Sequence, residues 1–338
     1  MKWYFQNGKD SDIILSTRIR LARNIQGIKF TNKSSDEELK KVYELMKDLS
    51  FSLGYGLKFI DLKNMDSVTK NALVENHVIE SNFANTKGNY RAILLNDEES
   101  ICIEVNGEDH IRLQVLCSGE DLNNLLNLAI EIDKKIETSI PYSYHKKYGY
   151  LTACPTNVGT GLKASVLVHI PALTITRNTR KILNIVNNLG MSIRGLYGEG
   201  SKVQGDMYQI SNNQSLGITE KEIVKSLKLI AHKVMEQERM ARKYLTQDSI
   251  ELEDKLYRDF GVLTNARKLD EEETIELLSS IKLGTDLGII RELDDAQITK
   301  LMIYTKPANL QKQMEKSLTK YEQEIERANL IKEIIKQD

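Results

Sequence analysis

The chain has only three cysteines in 338 residues, Cys102, Cys117 and Cys154, too few and too irregularly spaced for a disulfide framework or a zinc ligand set. It lacks any apolar run near the ~20 residues of a membrane span, and its start, Met1-Lys-Trp-Tyr-Phe, has no apolar signal core. It also lacks an excess of either charge. The 47 Lys and Arg face 48 Asp and Glu, a formal −1 that gives no general attraction to nucleic acid or an anionic membrane. These absences predict a cytoplasmic protein, in a reducing compartment, whose cationic sites are local. The usual nucleotide signatures are missing too. Gly159-Thr-Gly161-Leu-Lys163-Ala-Ser165 has the wrong glycine spacing for a P-loop and leads into a strand-like segment. Gly195 to Gly200 does not sit in a dinucleotide-type βαβ unit, and protein-kinase catalytic and metal loops are absent.

What is present is 41% hydrophobic residues arranged in two textures. Up to about residue 245, short alternating runs lie between glycine-bearing turns and helical stretches; beyond it nearly everything has helical periodicity with charged faces. The fold class is therefore α+β, a catalytic body over 1–245 followed by a small all-helical domain over 246–338. Alternation over 12–21 places Ile13, Leu15, Thr17, Ile19 and Leu21 on one strand face and Ser16, Arg18 and Arg20 on the other. Residues 36–53, 66–80 and 121–136 read as helices, with His77 at the end of the second. Asn106-Gly107 predicts a hairpin between Ile101–Val105 and Ile111–Val115. Thr219 with Glu222 forms a capping box for a helix to about Leu245. The tail predicts helices near 249–260, 270–281, 294–304 and 308–337, broken by Gly261, Gly284, Gly288 and Pro307. An apolar stripe of Leu301, Ile303 and Leu310 reads equally well as a dimerisation face or as core.

Arg18, Arg20, Arg112, Lys163 and Arg194 all fall on polar faces or turns of consecutive β elements, where they could line one face with positive charge. Guanidinium forks bind phosphate oxygens bidentately and keep their charge. Glu108, at the hairpin end, and Glu199, among three glycines, are candidate acid/base groups beside arginines. Two carboxylates could fix a guanidinium plane and accept its proton as an N–P bond forms. Cys154 offers a competing reading, a nucleophile with His110 or His169 as base, although the Cys-Pro loop has no local catalytic signature.

Ser16-Thr-Arg18-Ile-Arg20, Glu108-Asp-His-Ile-Arg112, Cys154-Pro-Thr-Asn-Val-Gly-Thr and Arg194-Gly-Leu-Tyr-Gly-Glu199 resemble, in this order, the motifs of the ATP:guanidino phosphotransferases (phosphagen kinases). The likeness runs from about residue 10 to the C-terminus and is greatest to the branch that phosphorylates arginine in proteins. Small-metabolite members carry a helical domain of about 100 residues before the first motif. Here that motif starts at Ser16 and extra helices follow, which implies the protein-directed branch.

The resemblance implies an antiparallel sheet flanked by helices and ATP with Mg2+ as cofactors, with no protein metal site. ATP would be bound by Ser16, Thr17, Arg18, Ile19, Arg20, His77, Arg112, by Lys163, Ala164, Ser165, Val166 and Leu167, and by Arg194, Gly195, Leu196, Tyr197, Gly198 and Glu199. Catalytic carboxylates would be Glu108 and Glu199, with Cys154 on the substrate side. It further implies marking of proteins for Clp-protease degradation, control of a heat-shock repressor, a zinc-binding activator of the McsA type, and a homodimer, without direct nucleic-acid or membrane contact. Three positions depart from the family pattern: Lys163 replaces an arginine, Gly107 replaces a glutamate, and a tail phosphoarginine motif is altered to Gln323-Glu324-Ile-Glu-Arg327-Ala328. One cation is gone there and an acid has been added, which disfavours a phosphate dianion. Two other functions fit less of the pattern: a kinase for free arginine or another small guanidino compound, and a phosphoarginine-binding adaptor without catalysis.

Overall fold

The computed structural model describes residues 1–86, 88–195, 203–247 and 249–336. Among the described residues ten strands form: β1 Ile14–Arg23, β2 Lys58–Asp61, β3 Ala92–Leu95, β4 Ile101–Val105, β5 Ile111–Ser118, β6 Tyr144–His145, β7 Gly149–Tyr150, β8 Leu162–His169, β9 Met191–Gly195 and β10 Met207–Asn212. Eight of them build one antiparallel sheet in the order β2-β3-β4-β5-β1-β8-β10-β9, while β6 and β7 pair as a separate short hairpin. The body helices are α1 Asp36–Leu53, α2 Ser67–Glu75, α3 Ser81–Asn85, α4 Leu122–Ser139, α5 Pro171–Ile175, α6 Thr179–Asn188 and α7 Glu220–Leu245. The tail adds α8 Ser249–Asn265, α9 Glu271–Asp286, α10 Asp295–Tyr304, α11 Pro307–Met314 and α12 Lys320–Ile335.

Period-two patterning decides which side of the sheet each strand offers to the core. Ile19 and Leu21 of β1, Leu113 and Val115 of β5, and Ala164, Val166 and Val168 of β8 pack with α1, α4 and α7 in the main apolar core. On β3 and β4 the opposite face is also covered: Ile93, Leu95 and Cys102 meet Leu73, Val78 and Phe83 from α2, α3 and their connection. That cover stops beyond β4, and over the rest of the sheet the same face carries mainly polar residues, except at one end, where Leu15, Leu167 and Met207 lie against Ile275 of the tail.

Local chemistry starts and stops the helices. Ser35 and Glu38 exchange side-chain and backbone hydrogen bonds as a capping box for α1, and Thr219 and Glu222 do so for α7. The sequence alternation on β1 holds from Thr17 onward but breaks at a register shift between Ile14 and Ser16. Ile14 consequently joins Ile13 in the main core, while Leu15 turns away to pack, with Leu167, against Met207 and Ile275. The helix expected over 66–80 ends at Glu75, and His77 takes φ +60 in the turn that follows. The helix expected over 308–337 is two helices, separated at Glu315, which adopts a left-handed conformation. Leu301 and Leu310 are buried in the core of the tail itself, and Ile303 is buried where the tail lines a recess against the body, so the stripe weighed as a dimerisation face is packed within the chain.

Tail and body are tied by ions as well as by contact. Glu238 on α7, fully buried, accepts hydrogen bonds from the backbone N–H groups of Ala172 and Leu173 (both 3.0 Å) and from Arg242 Nε (2.9 Å). Arg242 also donates to Asp286 of α9 (3.2 Å) and to the Asp12 carbonyl (3.0 Å). Removing one member of a buried pair strands the other without solvent. Glu238→Ala is expected to lower unfolding stability by about 3–5 kcal/mol in a urea titration, and a loss under about 0.5 kcal/mol would show that this network does not hold the two parts together.

Candidate active site

Antiparallel register brings the predicted cations together. Arg20 on β1 faces Lys163 on β8, Arg18 faces Ser165, and the Arg112 position on β5 faces Ala22; across β10, Gln209 pairs with Arg194 of β9. Because side chains alternate, Ser16, Arg18, Arg20, Arg112, Lys163, Ser165, Leu167, Gln209, Ser211 and Arg194 share the uncovered face. They line one cleft of about 760 Å3, or the narrow slot at its end, together with His77, Glu80, Glu108, Cys154, Thr156, Asn157 and Asn213. Thr17, Ile19, Ala164 and Val166 belong to the same runs, but their side chains are buried on the core side. Gly195 ends β9, while Leu196, Tyr197, Gly198 and Glu199 lie outside the described residues.

Crowding of like charge sets the electrostatics. Burial, with Arg112 nearby, pushes Arg18 down to about 10, and burial with Arg18 and Arg112 holds Arg20 well below the usual arginine range. Burial, then Arg20, Arg194 and Arg18, push Lys163 down to about 8. One anion, not anticipated from sequence, offsets this charge. Glu80, just before α3, accepts from Arg20 Nη1 (2.5 Å) and is bridged by both terminal nitrogens of Arg112. Burial alone would raise its carboxyl, yet Arg112, Arg20 and Arg18 hold it far below the usual range. Arg112 is itself held above the ordinary arginine value: burial works against its charge, but Glu80 and Glu104 outweigh it. Local sequence gives no sign of this role for Glu80, because it depends on the turn after α2 returning over β5. Gln114 Nε2 secures that return by donating to the carbonyls of His77 (2.8 Å) and Val78 (2.9 Å).

The acid side is built on the β4–β5 hairpin. Glu108 is exposed at the hairpin tip, but desolvation by the protein around it, then the charge of Asp109, raise its carboxyl above the ordinary value. Asp109 faces inward, accepting from Asn24 Nδ2 and the Ala153 N–H (both 2.6 Å), and so ties the loop before Cys154 to the hairpin that carries Glu108. Cys154 Sγ lies 3.0 Å from Thr156 Oγ1. The loop then turns through Gly159 (φ +115) and Gly161 (φ +65). A Cβ at Gly159 would stand 2.2 Å from the Ser215 carbonyl oxygen, and one at Gly161 would stand 2.4 Å from Arg23 Nη1. Neither histidine weighed as a base serves Cys154. His110 accepts from the Ile25 N–H through Nδ1 (3.0 Å) and its Nε2 pairs with the Lys29 carbonyl (2.8 Å); His169 is fully buried against Ser279 of α9 (2.8 Å).

The altered tail motif on α12 is engaged internally. Arg327, 2% exposed, donates to the carbonyls of Thr305 (2.7 Å) and Leu269 (2.8 Å), and Gln323 donates to Leu318 (3.0 Å). Glu324 pairs with Lys268 (3.0 Å), and Ala328 is core.

Residues 37–241 match the C-terminal catalytic domain of ATP:guanido phosphotransferases, and residues 249–338 match the C-terminal domain of the protein-arginine kinase McsB. The chain is 43% identical over 332 residues to a protein-arginine kinase of Halothermothrix orenii, covering 98% of this chain and 95% of that protein. It is also 43% identical over 338 residues to one from Bacillus subtilis strain 168, covering 98% and 92%. Among solved structures, a lombricine kinase aligns with a TM-score of 0.60 at 26% identity, over 69% of this chain and 68% of that one. Among the described residues no helix is long and apolar enough to cross a membrane.

Lys163 sets opposing pH trends. Its folded pKa of about 8 lies below the roughly 10.4 of an unfolded lysine, so between these values the unfolded chain holds more protons and stability rises with pH. Over the same interval the cleft loses a cation. Titration from pH 7 to 9.5 is therefore expected to weaken triphosphate binding while raising the thermal stability of the ligand-free protein, and Lys163→Arg should flatten both trends. Parallel profiles for the variant and the parent would remove Lys163 from the account.

Proposed function

The chain belongs to the ATP:guanidino phosphotransferase family and to its protein-arginine kinase branch, and from that premise we propose that its cationic cleft passes the γ-phosphoryl group of ATP to arginine side chains of proteins. The observation that carries the reading is the convergence of Arg18, Arg20, Arg112, Lys163 and Arg194 from four strands on a single cleft that also contains Glu108. In this reading the guanidinium forks clamp the polyphosphate and Lys163 adds a point charge. Glu80 yields its arginines to phosphate oxygens as the nucleotide enters. Mg2+ enters as part of MgATP; no described group of three His, Cys, Asp or Glu residues could cage it, and this cation is commonly held by phosphates and water.

A substrate guanidinium would lie between the Glu108 loop and the Cys154–Asn157 loop. Its terminal nitrogen forms the new bond to γ-phosphorus as the bond to the β,γ-bridging oxygen breaks and ADP leaves. The proton lost by that nitrogen passes to a carboxylate, for which Glu108 is the described candidate and Glu199 its proposed partner. The partly desolvated state of Glu108 makes it a better proton acceptor than a solvated carboxylate. Cys154, which also lines the cleft, would contact the acceptor side.

The finer reading places this activity in the cytoplasm as part of a stress response. Phosphorylated arginines would mark proteins for the Clp protease and modulate a heat-shock repressor, with a McsA-type activator and a homodimeric enzyme. Its support is the likeness to protein-arginine kinases along nearly the whole chain. Phosphoarginine sensing by Gln323, Glu324, Arg327 and Ala328 has less support, because the Arg327 guanidinium is already spent on backbone carbonyls.

Incubation with MgATP and either a casein-like protein or free arginine, followed by detection of acid-labile phosphate, tests the reading. Phosphate is expected on the protein, and Glu108→Gln should slow transfer by at least about 10²-fold while ATP affinity changes little. Transfer to free arginine alone would overturn the protein-directed reading, and an unchanged rate in the variant would remove Glu108 from the chemistry.

A further inference from the structure

The cleft does not end at the arginines. Arg18, His77 and Gln209 line both the cleft and a narrow slot of about 20 Å3, and Ser16, His77 and Leu167 continue from that slot into a recess of about 120 Å3. The body contributes Trp3, Leu15, Leu167 and Met207 to the recess. The opposite wall comes from the helical tail: Ile275 of α9, Thr299, Met302 and Ile303 of α10, and Lys306 at the start of α11. Most of the lining surface is apolar, as suits a flat heterocycle, although polar and charged side chains such as Asn7, Lys282, Asp295 and Lys306 also border it. One polar group of the lining has no partner among the described residues: Trp3 is 5% exposed, and its buried indole N–H donates to nothing.

The tail is held against this recess by the segment that leads to His77. Glu75, the last residue of α2, accepts from the N–H groups of Ala308 (2.7 Å) and Asn309 (2.9 Å) at the start of α11, and from Asn309 Nδ2 (2.9 Å). Lys306, 7% exposed, donates to the Glu75 carbonyl (2.8 Å), and Asn309 Nδ2 also reaches Asn76 Oδ1 (2.9 Å). Two residues past this clamp stands His77, shared by all three spaces. The tail thereby fixes both the far wall of the recess and the turn at its entrance.

We propose that the helical C-terminal domain completes the nucleobase pocket: the purine of the nucleotide enters the recess through the slot, between Leu167 and His77 on the body side and Met302 and Ile275 on the tail side. This rests on the ATP-dependent reading of the cleft. It makes the tail part of the nucleotide site, so its docking and nucleotide binding support each other.

Calorimetric titration of the full chain with MgATP and, separately, with magnesium triphosphate carrying no nucleoside tests this directly. Met302→Trp fills the recess from the tail side and touches none of the arginines. It is expected to weaken ATP binding at least tenfold and to leave triphosphate binding within twofold. Met302→Ala, which only removes contact, should weaken ATP several-fold with the same insensitivity to triphosphate, and serves if the larger residue prevents folding. Unchanged ATP affinity in either folded variant, or equal losses for both ligands, would overturn the shared pocket. If the unaltered chain binds neither ligand, the kinase reading of the cleft falls and this inference falls with it; triphosphate binding without any gain from the nucleoside overturns the pocket alone.

Discussion

Like charges packed on one sheet face repel, and the rest of the site is a response to that constraint. Five basic side chains project from β5, β1, β8 and β9 into a single concavity, where burial weakens the hold of Arg18, Arg20 and Lys163 on their protons. A sheet tolerates the arrangement because its opposite face is a continuous apolar core, which keeps the strands in register whatever happens above them. Glu80 supplies the counter-charge, and Gln114 holds the turn that delivers it. The site is therefore built from outside the sheet as much as from it.

The same principle of buried ions with few alternatives governs how the tail is attached. Glu238 and Arg242 join α7 to α5 and α9, and Glu75 caps the start of α11. Each carboxylate satisfies backbone N–H groups that the helices leave unpaired at their first turn. These contacts specify orientation more than they add net stability, since much of their attraction offsets the loss of hydration.

Much of this was legible in the residues. Alternation on β1, the Asn106-Gly107 hairpin and the Thr219–Glu222 box located their elements because each depends on neighbours a few positions away. The four ordered motifs located the arginines and Glu108, although only alternate members of Ser16–Arg20 and Lys163–Leu167 turn their side chains into the cleft. What the sequence could not disclose depends on distant partners. The register shift that redirects Leu15 is set by pairing with β8, and α2 stops at Glu75 where the chain turns through the left-handed His77 and engages α11. Glu80 is an ordinary carboxylate until the fold places it between Arg20 and Arg112. Leu301 and Leu310 belonged to a stripe whose cover, the remaining tail helices, has no local signature, while its third member, Ile303, faces a recess against the body.

Glu80 also bears on which anions the cleft favours. A carboxylate tethered by its own chain competes at a high effective concentration, so a small ion such as chloride or orthophosphate gains little by exchanging with it at a single arginine. A triphosphate engages several cations at once and exchanges on better terms. The carboxylate that bridges Arg20 and Arg112 therefore favours polyvalent over monovalent anions in that exchange.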